Sequence, residues 1–136
     1  MSIPSIPVQP AGPFWRWLFA RAGLPLPCAF AVGIGRWKRI VTSEDFANLR
    51  LRERQAILAH EEGHHRLKHV RSRLLMLLQG GLFQPKRTSR RFQEQELEAD
   101  LYAARRGHAW GLQTFLLKQR CTPDVAERIQ QLRKYV

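Results

Sequence analysis

His60, Glu61 and His64, set in the run His60-Glu61-Glu62-Gly63-His64, are the residues of this chain best placed to do chemistry. Two histidines four residues apart sit about 40° apart around a helix, one turn above the other, so both imidazoles reach one metal ion. Zinc favours imidazole nitrogen, and a catalytic zinc keeps three protein ligands and one open position. Glu61 follows the first histidine, where a carboxylate can take a proton from the water that attacks a carbonyl. The pattern predicts a hydrolytic zinc site with Glu61 as general base and His60 and His64 as two of the ligands.

A third ligand must come from another element. The residues from Phe92 onward read as a helix carrying Glu94, Glu96, Glu98 and Asp100. Carboxylates on alternate residues cannot all face one point. Glu96 shares its face with Ala99, Asp100 and Ala103, and two alanines let a neighbouring helix approach closely. Glu94 and Glu98 share a different face with Arg91, Tyr102 and Arg105 and read as surface ion-pair formers of small worth. Glu96 is therefore the expected third ligand, and Asp100 the expected acceptor for the second ring N–H of a ligand histidine. His65 and His69 fall off the ligand face. In a continuous helix from Arg52 to Leu78, His69 lies half a turn around from His60, so both read as surface or structural residues.

The frame for these residues is one domain. A chain of 136 residues with 44% hydrophobic content can bury a modest core. Residues 1–13, rich in proline and serine, read as an irregular arm, and residues 14–136 as the domain. Phe14 to Ala20 suits a short helix packed over the core, with a membrane-surface anchor as the alternative. Cys28 to Val32 and Lys38 to Thr42 read as the two strands of a hairpin around Gly33 and Gly35. Thr42, Ser43, Glu44 and Asp45 then start a short helix through Leu49. Gly63, costly in a helix interior, predicts close approach of another element. Pro85 to Arg91 reads as a basic loop. Arg106-Gly107 ends the glutamate helix or marks a tight packing point. Trp110 to Lys118 continues as helix, and Thr122-Pro123-Asp124 starts a last helix with the apolar stripe Val125, Ile129, Leu132.

Charge and cysteines narrow the partners. A net charge of +12 favours nucleic acid, an acidic membrane surface or acidic protein segments. It supports an alternative function, a basic module binding nucleic acid or an acidic partner and keeping zinc for structure only. The apolar runs are too short to span a bilayer. The N-terminus lacks the basic and apolar regions of a secretory signal, which predicts a cytoplasmic chain. Cys28 and Cys121 are expected as free thiols. There is no nucleotide-binding glycine loop, zinc-finger spacing or internal repeat.

His60-Glu61-Glu62-Gly63-His64 followed by Glu96-Leu97-Glu98-Ala99-Asp100 resembles the paired HExxH and ExxAD motifs of the gluzincin metallopeptidases. Within them the chain is most similar to the family of the CAAX prenyl endopeptidase and the bacterial heat-shock membrane protease, in a minimal form without its transmembrane helices. Ala29-Phe30-Ala31-Val32-Gly33 is similar to that family's strand beside the cleft. Ile40-Val41-Thr42-Ser43 resembles the segment leading to its active-site helix, and Thr122-Pro123 through Arg128-Ile129 its C-terminal motif. Thr122 stands where the family has histidine, and Cys28 where the strand usually has asparagine. A phage-repressor-cleaving type of metallopeptidase is a rival relative. The hairpin and the terminal motif favour the first family.

The resemblance implies a zincin-like α+β fold, a small sheet packed on the HExxH helix and the glutamate helix. It implies zinc as cofactor, peptide or protein as substrate, and Ala29, Phe30, Ala31 and Val32 as the strand that binds it. No side chain is assigned to stabilise the oxyanion. Arg106 and His108 are the weak candidates.

Overall fold

The computed structural model describes residues 6–81 and 84–136, so the first five residues of the expected arm lie outside it. Two short apolar runs form the expected hairpin: β2 (Ala29–Val32) pairs antiparallel with β3 (Arg39–Thr42) through a 3₁₀ turn at Gly35–Trp37. The arm contributes a strand that its composition did not suggest. β1 (Val8–Pro10) runs parallel to β3, giving the order β1-β3-β2, with β3 central and β2 at an edge. Proline at a strand end on a sheet edge is tolerated because no partner needs its missing N–H.

Helix α1 (Pro13–Arg21) opens with proline at its first turn and has no fully buried residue. Trp15 and Phe19 place their rings 5.1 and 5.3 Å from that of Phe30 on β2, while Phe14 and Trp17 are 60% exposed. After α2 (Glu44–Ala47), α3 (Leu51–Arg66) carries the two motif histidines. The chain then departs from expectation. The long helix breaks after Leu67, Lys68 takes a left-handed conformation with φ of 61°, and α4 (His69–Leu78) sets off anew. The basic segment from Pro85 is likewise no loop, since α5 (Pro85–Ala103) begins there, with proline at its first position. Proline there loses nothing, because the first N–H groups of a helix have no intrahelical partner. A π-helical turn (Ala104–His108), in which Gly107 takes a φ of 87°, redirects the chain into α6 (Ala109–Leu117). In α7 (Pro123–Leu132), Thr122 Oγ1 accepts from the Val125 amide as expected of an N-cap.

The fold is α+β. Ala56, Ala59, Ala103, Ala104, Leu112, Leu116, Ile129 and Leu132 make the main core between α3, α5, α6 and α7. Ala29, Ile40 and Ile57 join α3 to the sheet. Small residues decide how close these helices come. A Cβ at Gly63 would sit 3.0 Å from the Tyr102 ring of α5, and one at Gly111 of α6 would meet the Arg52 carbonyl oxygen at 2.5 Å. Gly63 thus does mark a close approach. No helix among the described residues is long and apolar enough to cross a membrane.

Candidate active site

Close packing of α3 on α5 points His60, His64 and Glu96 at one another. Ala99 and Ala103 are fully buried at this contact, on the same face of α5 as Glu96. His60 Nε2 lies 3.0 Å from Glu96 Oε2, His64 Nε2 lies 3.2 Å from Glu96 Oε1, and the two Nε2 atoms are 3.0 Å apart. All three side chains offer ligand atoms within 4.8 Å of one another, so the group could hold a metal ion.

Each histidine is engaged from behind. His60 Nδ1 lies 2.8 Å from Asp100 Oδ1, although oblique to the ring N–H direction. Asp100 is fully buried and clamped by Arg128, whose Nε and Nη2 donate to its two oxygens at 2.7 and 2.9 Å. His64 Nδ1 lies 2.9 Å from His69 Nδ1, and His69 Nε2 lies 3.1 Å from Glu98 Oε2. With both outer nitrogens engaged, two Nε2 lone pairs would face each other beside a carboxylate. That arrangement repels itself unless a proton or a metal cation lies between, which is the fit a cation site requires.

The electrostatics agree. Burial works against charge on His60, but hydrogen bonds to Asp100 and Glu96 outweigh it and raise its pKa to about 10. Burial pushes His64 down to about 4 despite its hydrogen bond to Glu96. Glu96 is held well below the usual carboxylate range, because bonds from His60 and His64 overcome its burial. The three side chains thus share one proton beside an ionised Glu96. Glu61, 8% exposed on the same helix, is raised by burial to about 7. A carboxylate so poised has the basicity that proton transfer at neutral pH asks for.

A cleft of about 920 Å³ opens over the group. His60, Glu61, His64 and Glu96 line it, together with Cys28, Ala29, Phe30 and Ala31 from the sheet edge and Val70, Leu74 and Leu77 from α4. Burial raises the Cys28 thiol to about 11, and Asp45 and Glu61 add to the shift, so Cys28 is a neutral thiol. Cys28 and Cys121 are free, as expected.

Other expected residues fall elsewhere. His65 is buried and its Nε2 donates to the Arg39 carbonyl at 2.8 Å, tying α3 to β3 in a structural role. Glu94 pairs with Arg91 on the surface as expected, but Glu98 reaches His69 rather than an arginine. Arg106 lies over the Tyr102 ring at 3.4 Å, and neither it nor His108 lines the cleft. The cations that do line it are Arg73 and Arg128. Arg73 Nη2 donates to Glu96 Oε1 at 3.0 Å and its Nε to Gln95 at 2.8 Å. Arg128 carried a signal in the terminal Thr122-Pro123…Arg128-Ile129 stretch. Arg73 carried none, since its place depends on the turn at Lys68.

A family model, that of peptidase family M48, matches residues 18–86, just over half of the chain. The chain belongs to peptidase family M48. This is the gluzincin family that the sequence motifs resemble. No curated protein and no solved structure matches the chain. The M48 match covers the hairpin, α3 and α4 but stops before Glu96. The meeting of Glu96 with the histidines is therefore an independent observation, supplied by the packing of α5.

Proposed function

We propose that this M48 chain is a zinc-dependent metalloendopeptidase, with His60, His64 and Glu96 as ligands, Glu61 as general base and Asp100 as the residue that orients His60. The convergence of two Nε2 atoms and a carboxylate beside a buried Glu61 carries this reading. Two imidazoles and one carboxylate are a donor set zinc accepts, with a coordination position left for chemistry. When bound, the zinc supplies Lewis acidity to the scissile carbonyl and the attacking water. Glu61 takes the proton of that water and hands it to the leaving amine, the same group serving as base and then acid. Arg73 and Arg128, bonded to Glu96 and Asp100, hold the carboxylates in place.

The edge strand suits an extended peptide. Ser43 N donates to Cys28 O at 2.9 Å, so with Ala29 opposite Thr42 and Ala31 opposite Ile40, these alanines take the positions not bonded to β3. Their N–H and C=O groups point away from β3, toward the open edge. A substrate strand adds there by backbone hydrogen bonds, with Phe30 and Val32 completing the segment.

Metal analysis of the purified chain should find about one zinc per chain. Glu61→Gln should keep that zinc and slow hydrolysis of a peptide library by about a hundred- to ten-thousandfold. Full activity in Glu61→Gln, or an intact fold that retains no zinc, overturns the reading. The second result, joined to steeply salt-dependent nucleic-acid binding, would favour a basic binding module. Ala31→Pro removes an outward-facing donor without touching the bonds to β3. Its kcat/KM for peptides should fall while zinc content stays level.

A further inference from the structure

We propose that His69 and Glu98 are positioning residues that fix the ring tautomer and orientation of His64, forming a relay Glu98–His69–His64 that ends at the metal site. The inference rests on the reading of His64 as a ligand and extends it to a histidine outside the HExxH motif.

The direction of the relay follows from what each group can do. An ionised carboxylate only accepts hydrogen bonds, so at 3.1 Å the His69 Nε2 must carry the proton it gives to Glu98. With His64 taken as a ligand through Nε2, His69 is neutral and has a bare lone pair at Nδ1, since a second proton there would force the His64 proton onto Nε2. Nothing but a donor can sit 2.9 Å from that lone pair, so His64 Nδ1 carries a proton and donates it to His69. That leaves the lone pair of His64 on Nε2, the atom that faces His60 Nε2 and Glu96. Without the relay, His64 could take the tautomer protonated at Nε2 and lose the lone pair that ligation needs. A hydrogen-bonded partner behind a ligand histidine fixes both ring orientation and tautomer and raises the ligand's basicity.

The backbone is arranged for this contact. His69 stands five residues after His64, a separation that in a continuous helix directs the two side chains about 140° apart. The left-handed Lys68 breaks the helix, and His69, as the first residue of α4, folds back over α3. His69 is 3% exposed, and its ring lies 5.1 Å from that of His64. The Glu98 side chain is half exposed, so the relay starts at the surface and runs inward.

Two measurements test the relay apart from activity. In ¹⁵N-labelled, zinc-loaded protein, NMR should show His69 protonated at Nε2, His64 protonated at Nδ1, and a scalar coupling across the hydrogen bond between the two Nδ1 atoms. His69 protonated at Nδ1, or no such coupling, would overturn the proposal. Competition with a chelator supplies the energetics. His69→Leu removes the acceptor and should weaken zinc binding about 10- to 100-fold, the usual loss for such partners. His69→Gln offers an amide oxygen to the same N–H and should recover most of that loss. Because a variant at buried His69 could unfold, Glu98→Leu at the exposed end is the second arm. It should weaken zinc binding by a smaller factor and disturb the His69 tautomer while the fold persists. Parent-level zinc affinity in both His69→Leu and Glu98→Leu overturns the relay alone. A parent chain that binds no zinc overturns the ligand assignment beneath it.

Discussion

The two histidines proposed as ligands stand on the same helix, four residues apart, yet they are braced in opposite ways. His60 rests against Asp100, a fully buried carboxylate locked by a bidentate arginine from α7. His64 rests against a second histidine, whose own partner Glu98 is half in water. The first brace is a buried ion pair, rigid and costly to break. The second is a pair of imidazoles that ends in a half-exposed carboxylate. A histidine ligand needs only an acceptor at its second nitrogen, and the contrast shows two physically different ways to provide one. The rigid brace also joins α3, α5 and α7, so it serves the fold and the site together. The softer brace ties α4 to α3 and α5 with a single buried link and one half-exposed carboxylate.

The largest effect should come from the proposed ligand that both halves share. Glu96 touches His60 and His64 and is bonded to Arg73 as well. Glu96→Ala should cost zinc affinity well beyond the 10- to 100-fold expected for an outer partner. Glu94→Ala, whose carboxylate meets only surface arginines, should leave affinity at the parent level. Chelator competition on this pair of variants checks the assignment. Equal losses would mean that α5 is rotated from the orientation described.

Asp100→Asn sharpens the comparison on stability. It leaves Arg128 without its charged partner, and breaking one side of a buried pair costs about 3 kcal/mol. His69→Leu strands only one buried N–H and should cost about 1 to 2 kcal/mol. Denaturant unfolding of the metal-free chains ranks the two. The pH dependence carries a sign as well. Burial works against the Asp100 charge, but the bonds from Arg128 and His60 overcome it and hold its pKa below the ordinary 3.8. Its contribution is therefore complete above about pH 3.8 and fades as pH falls through the lowered value. In the metal-free chains the gap between parent and Asp100→Asn should narrow at both ends: in strong acid as Asp100 protonates, and above about pH 6.5 as His60, whose pKa Asp100 helps to hold at about 10, loses its proton. A gap that grows from about pH 7 to 9 would place the titrating group elsewhere.

The contrast also explains what could be read from the residues. The His60 half lies in regular helices, where three-, four- and seven-residue spacings place Glu96, Ala99, Asp100 and Ala103 on one face. That geometry is legible from a string of letters, and the structure keeps it. The hairpin was legible too, because its apolar runs are bounded by glycine and proline. β1 was not, since three residues of a proline-rich arm hold no alternation and their pairing is set by β3. The start of α5 had a readable signal in Pro85, masked by the basic residues around it. The His64 half depends on a helix break in Arg66-Leu67-Lys68-His69, which contains no glycine, proline or asparagine. Every residue there is a tolerable helix former, so periodicity carried through it and placed His69 on the wrong side. Tertiary contacts around α4 overrode local preference.

That break offers the smallest effect and the most direct check. Lys68 holds φ at 61°, in the left-handed region that side chains with a Cβ enter at a cost of roughly 1 kcal/mol. Its amide still bonds to the His65 carbonyl at 3.1 Å, closing the end of α3 where glycine is the usual residue. Lys68→Gly removes the steric cost, partly offset by the added freedom of the unfolded chain. The variant should be more stable by a few tenths to about 1 kcal/mol, with zinc affinity unchanged. In an unbroken helix the same substitution has the opposite sign, because glycine in a helix interior loses about 1 kcal/mol relative to alanine. Thermal unfolding of parent, Lys68→Gly and Lys68→Ala therefore reads the backbone at this residue. Glycine above alanine means that α3 ends here and His69 is free to fold back onto His64. Glycine below alanine means a continuous helix, with His69 carried away from the site and the softer brace gone.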